Sequence, residues 1–148
     1  MRTMTMHADG TGQRLARLLS SAIDSSGKSR RDIAREAGLH KDTLLRVLRG
    51  SREFTVDEAD RILSACGIPA PAVLCLVASG RDDLAASWLR SGFVEFLDRF
   101  YRELPGALRE GLGERMDEIP PRWALGASRL LAKQLARHVD ELSVREFS

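Results

Sequence analysis

Cysteine, histidine and aromatic residues are all scarce in this chain, and each scarcity removes a class of function. Cys66 and Cys75 are its two cysteines, and their spacing fits no metal motif; His7, His40 and His138 are the three histidines that could add imidazole ligands. A disulfide scaffold or a zinc site is therefore not expected, and both cysteines read as reduced, buried thiols among apolar neighbours. No apolar run approaches the roughly 20 residues of a membrane-spanning helix, and the longest, residues 68–78, holds Pro69 and Pro71. The opening MRTMTMHADGTGQR lacks the apolar core of a secretory signal, so a cytoplasmic location is expected. A glycine-rich phosphate loop and a nucleophile–base–orienter grouping are missing too, so the chain is not expected to be an enzyme or to carry a cofactor.

What is present is a soluble composition with an uneven charge. At 148 residues, 43% hydrophobic and 30% charged, the chain suits one ordinary domain, or a small domain with an appended helical unit. The formal net charge of +2 says little by itself. Its distribution says more: residues 1–52 hold eleven Lys or Arg against five Asp or Glu, while residues 53–148 hold twelve against sixteen. A basic head on an acidic body suits a partner that is an anion.

Residues 30–50, RRDIAREAGLHKDTLLRVLRG, hold the densest pattern. Ile33, Ala34 and Ala37 form an apolar helix face, Gly38 falls where that helix must stop, and Leu44, Val47 and Leu48 form the inward face of a second helix over residues 40–48. Glycine takes the left-handed conformation of such a turn without a side-chain clash. The second helix turns Lys41, Asp42, Thr43, Leu45, Arg46 and Arg49 away from the core. This is the pattern of a helix-turn-helix, whose second helix enters the DNA major groove. An outward leucine between basic residues suits a thymine methyl, and an arginine such as Arg46 can donate to guanine O6 and N7. Asp42 is repelled by phosphate, so capping or holding Lys41 or Arg46 in position is its expected part, with direct acceptance from cytosine as the alternative. Arg31, Arg49 and Arg52 are expected phosphate contacts, with His40 as a further one.

Helices flank this pair. Leu15, Leu18, Leu19, Ala22 and Ile23 recur at helical spacing over residues 13–24, Ser29 is placed to cap the helix that starts at Arg30, and Thr55 to cap one through Val56, Ala59, Ile62 and Leu63. A fifth helix over residues 71–77 opens on proline. Residues 13–78 thus resemble the XRE or phage-repressor-like family of helix-turn-helix domains, on Ala34, Gly38, Leu44, Val47, Gly50 and the ACGI that follows the fourth helix. The resemblance implies a compact five-helix fold with base contacts at Arg30, Lys41, Asp42 and Arg46, and weaker ones at Thr43 and Leu45. Many of that family carry glutamine at the positions of Arg30 and Lys41, so the base sequence read here is its own.

The fold class expected is all-α, arranged as a flexible tail over residues 1–12, the helix-turn-helix domain over 13–79, and a C-terminal helical region over 80–148. That last region has helices expected at 84–89 and 92–104, a break at Pro105, a helical segment through Leu108, Leu112, Met116 and Ile119, and a final helix opened by Pro120 and Pro121 and running to about Leu142. Trp88, Phe93, Phe96, Leu97, Phe100, Trp123, Leu131 and Leu135 are the candidates for burial against a second copy; packing inside the monomer is the competing outlet for the aromatic stripe. No serine-lysine self-cleavage module of the sort some phage-type repressors carry is recognisable.

The expected function is a homodimeric, sequence-specific DNA-binding transcriptional regulator, a repressor acting on a palindromic operator in double-stranded DNA. The alternatives are an antitoxin-like module whose C-terminal half binds a partner protein, and an activator that contacts RNA polymerase.

Overall fold

The computed structural model describes residues 5–6 and 10–146. Helices dominate: α1 (Thr11–Ser26), α2 (Arg30–Glu36), α3 (Lys41–Leu48), α4 (Val56–Ala65), α5 (Ala70–Ala78), α6 (Asp82–Trp88), α7 (Phe93–Leu112) and α8 (Ala124–Glu146). Of the expected tail, residues 1–4 and 7–9 lie outside the described residues. Thr5–Met6 (β1) pairs antiparallel with Phe54–Thr55 (β2), Thr5 opposite Thr55 and Met6 opposite Phe54. This short backbone ladder was not expected in a tail without periodicity.

The five expected helices of the head form for the reasons their sequence supplies. Ser29 Oγ accepts from the Asp32 amide at 3.1 Å, and Thr55 Oγ1 accepts from the Glu58 amide at 3.0 Å, so each cap answers an amide that the first helical turn leaves over. Leu15, Leu19 and Ile23 of α1 are fully buried, together with Ile33 of α2, Leu44 and Val47 of α3, Ile62 and Leu63 of α4, and Val73 and Val77 of α5.

The head does not stop at residue 80. Ala85 of α6 and Val94 of α7 are buried in the same core, and Trp88, Leu89 and Leu97 pack against it. An ion pair of 3.5 Å joins Arg14 of α1 to Asp82 of α6. One compact unit accordingly ends at Leu104 and a second begins at Pro105. The reason is area: five short helices leave apolar surface on α1 and α5, and α6 with the start of α7 covers it.

Pro105 does not break the run as expected, and α7 continues through it to Leu112. Proline removes the bond to the carbonyl four residues earlier, that of Tyr101. Tyr101 and Pro105 are both exposed, so water can replace the lost donor. The segment after Leu112 winds as a 3-10 turn over Gly113–Glu118, and a second such turn, Pro121–Trp123, leads into α8. The second unit has no buried residue from Pro105 on. Leu125, Leu130, Val139 and Val144 of α8 are each at least 60% exposed.

The cysteines part company. Cys66, half-buried where α4 ends, has its thiol pushed up to about 11 by burial, whereas Cys75 is exposed. Cys75 misses the core because Val73, Leu76 and Val77 take the inward side of α5. At pH 8 a maleimide should modify Cys75 quickly and Cys66 about a hundredfold more slowly, because thiolate is the reacting form. Peptide mass mapping of a time course checks this, and equal rates would refute the burial of Cys66.

Candidate nucleic-acid interface

The turn between α2 and α3 is built from backbone bonds around one glycine. Gly38 has φ +69°, the Leu39 amide donates to the Ala34 carbonyl at 2.8 Å, and the Gly38 amide donates to Arg35 at 3.2 Å. These bonds satisfy carbonyls left over at the end of α2. Arg61 of α4 supplies a further donor: its Nη1 reaches the Ala37 carbonyl at 3.0 Å, and Asp57 holds its Nε at 3.1 Å. Arg61 thus ties α4 to the turn and fixes how α2 hands the chain to α3. Sequence reasoning passed over it, since nothing local pairs positions 37 and 61.

Lys28 performs a similar task below the turn. Its Nζ donates to Glu36 at 2.9 Å and to the Ala65 carbonyl at 2.9 Å, which joins the end of α1 to α2 and α4.

On this frame α3 is held by Leu44 and Val47, both fully buried, with Leu48 packed against the same core. Lys41, Asp42, Arg46 and Arg49 are exposed, and Thr43 and Leu45 are half-buried. Positions 41, 42, 45, 46 and 49 lie at i, i+1, i+4, i+5 and i+8, one face of a helix. The structure therefore brings Lys41, Asp42, Leu45, Arg46 and Arg49 together. Asp42 has no hydrogen bond or ion pair among the described residues, and the residue that precedes the helix, His40, contributes no side-chain cap. What Asp42 does supply is a negative charge in the first turn of α3, where the helix dipole favours one.

The remaining candidates lie elsewhere on the head. Arg30 starts α2, with its guanidinium 3.9 Å from Asp24 of α1, and Arg31 beside it is exposed. Arg52 donates from Nη1 and Nη2 to both carboxylate oxygens of Glu58, at 2.9 and 3.3 Å. Glu58 is buried, so this bidentate pair gives Arg52 the task of satisfying that carboxylate and holding the connector before α4. The phosphate role expected of Arg52 competes with that bond. Arg17 of α1 enters instead: with Gln13 and Arg49 it lines a cleft of about 230 Å³ beside the end of α3. Two guanidinium groups on one cleft can bracket an anion, and the signal was the outward position of Arg17 on α1.

The candidates for burial against a second copy fall into both units. Trp88, Phe93, Phe96 and Phe100 form a run of ring contacts with centroids 4.9 to 5.9 Å apart, extended by Tyr101 at 6.1 Å. Phe93 and Phe96 are each 39% exposed, while Trp88 and Leu97 pack on the head's core. Val94 rather than an aromatic residue is the buried member of that turn. Trp123 and Leu131 are exposed and Leu135 is half-buried.

Among the described residues no three potential metal ligands cluster, and no helix is long and apolar enough to cross a membrane. Residues 12–74 match a family model described as a helix-turn-helix domain. No curated protein and no solved structure matches the chain.

Proposed function

We propose that the helix-turn-helix domain at residues 12–74 makes this protein a DNA-binding transcriptional regulator of the phage-repressor-like kind, acting as a homodimeric repressor on a palindromic operator. The observation that carries the reading is the exposed face of α3, where Lys41, Leu45, Arg46 and Arg49 stand clear of the core on a helix anchored by Leu44 and Val47. A rigid helix with donors and one apolar group outward is what base edges in the major groove require. Arg46 reads a guanine, Leu45 meets a thymine methyl, Lys41 and Arg30 flank the read bases, and Arg17, Arg31 and Arg49 hold phosphates.

Dimerisation is supported by the second unit. A helix as long as α8 that buries none of its own residues lacks the packing that keeps helices stable in water. Leu131, Leu135, Val139 and Leu142 recur at i, i+4, i+8 and i+11 along it, a stripe that a second copy can cover. Two heads so joined would reach half-sites one helical turn apart on one face of DNA. Bound there, the dimer would block polymerase by occupying the promoter.

Sequencing of fragmented genomic DNA retained by the purified protein tests the reading. A palindromic motif with half-site centres about 10 to 10.5 base pairs apart is expected. Retention with no motif, fading steeply as salt rises, would reduce the interface to non-specific phosphate binding.

The roles within the interface separate by mutation. Arg46→Ala should cost about 1–3 kcal/mol on the preferred site and relax one base position. Arg49→Ala should weaken all sequences alike and lower the salt slope by about one. Competition binding at several salt concentrations checks both, and matching behaviour of the two variants would overturn the division between reading and anchoring.

A further inference from the structure

A second concavity lies where α1 ends, α4 turns into α5, and α6 ends, with a volume of about 230 Å³. That is below the roughly 300–1,000 Å³ of pockets for drug-sized ligands, so its occupant is small. Its chemistry is two-sided. Arg90 lines it and makes no ion pair or hydrogen bond among the described residues, which leaves a guanidinium fork for a carboxylate. On other sides α1 and α4 present their C-terminal ends, at Ser26 and Ala65, where leftover carbonyls and the helix dipole favour a cation. An ammonium group already demonstrates that preference here: Lys28 Nζ donates to the Ala65 carbonyl at 2.9 Å. Ser21 and Ser25 add hydroxyls that have no partner among the described residues. Between the polar groups Ala22, Ile68 and Leu89 form an apolar wall.

We propose that this cavity binds a small α-amino acid with an apolar side chain, its carboxylate on Arg90, its ammonium on the serine hydroxyls and helix-end carbonyls, and its side chain against Ala22, Ile68 and Leu89. A simple carboxylate would leave the helix ends unanswered, and a simple amine would meet Arg90 as a like charge. None of these residues lies on the exposed face of α3, so the site is separate from the proposed DNA contacts.

Isothermal titration of the full chain, without DNA, tests the site with three probes of one carbon skeleton: L-leucine, 4-methylpentanoate and isopentylamine. Leucine should bind at least about tenfold more tightly than either analogue, a difference of about 1.4 kcal/mol. Arg90→Ala should weaken leucine by about tenfold or more while leaving the melting temperature unchanged, and Arg90→Lys should recover part of the loss. Equal binding of leucine and 4-methylpentanoate would make this a carboxylate site and overturn the proposal. So would tighter binding of the amine, wild-type affinity in Arg90→Ala, or no heat from any probe at 10 mM, a ceiling set at about the weakest affinity worth the name, near −3 kcal/mol. Because DNA is absent from the assay, these outcomes stand apart from those of the genomic capture.

Discussion

Replacing Leu44 by alanine is expected to remove about 2–5 kcal/mol from the stability of the head, the range for deleting a large side chain from a packed core. Leu44 is fully buried on the inner face of α3, among the side chains that also bury Ile33 of α2 and Ile62 of α4. The cavity left behind would loosen the one contact that sets the depth of α3, so DNA binding should fall with stability. Leu45→Ala one residue on makes the control: Leu45 is half-buried and outward, and its loss should cost less than about 1 kcal/mol in folding while weakening specific DNA binding. Urea melts read the first effect as a lower midpoint at unchanged slope. Equal losses of stability in the two variants would show that α3 is rotated from the orientation described.

The second large effect concerns length. A chain ending at Leu104 is expected to stay folded, to sediment as a monomer, and to bind a palindromic site about a hundredfold or more weaker than the full chain. The folding part follows from the compact unit that ends at that residue. The binding part follows from the proposed dimer, since joining two heads makes the second contact intramolecular, worth about 10²–10⁴ in avidity. A chain ending at residue 80 should behave differently and melt well below the longer fragment, because it strips Ala85, Trp88, Leu89 and Val94 from the core. Sedimentation and thermal melts of the two fragments decide the matter. A dimer formed by residues 1–104 would move the self-association surface to the aromatic run of α6 and α7; equal melting of both fragments would remove α6 from the head.

Local chemistry made the head legible. Ser29 and Thr55 as caps, Gly38 at positive φ, and the inward pairing of Leu44 with Val47 each depend on neighbours within four residues, and sequence displays such neighbours directly. The exposed face of α3 was legible for the same reason. Features set by distant residues were not. Arg61 meets Ala37 across 24 positions, and Arg52 spends its guanidinium on Glu58 because Glu58 is buried, which periodicity does not announce. The extent of the head was misjudged at Gly80, where a glycine and charged residues look like a linker. The chain instead turns there and lays α6 back on α1 and α5. Pro105 was misread because a proline's effect depends on whether water can reach the carbonyl it leaves bare.

The bond from Arg61 to the Ala37 carbonyl carries a consequence for how such a protein diversifies. Its guanidinium is 42% exposed and sits on α4, away from every proposed base-contacting side chain, yet it bears on the joint from which α3 departs. A substitution at position 61 can therefore tilt the reading helix while leaving its own residues untouched. Operator preference can drift from a site that an inspection of the DNA-facing letters would never flag, and two copies of this gene with identical α3 sequences need not regulate the same promoters.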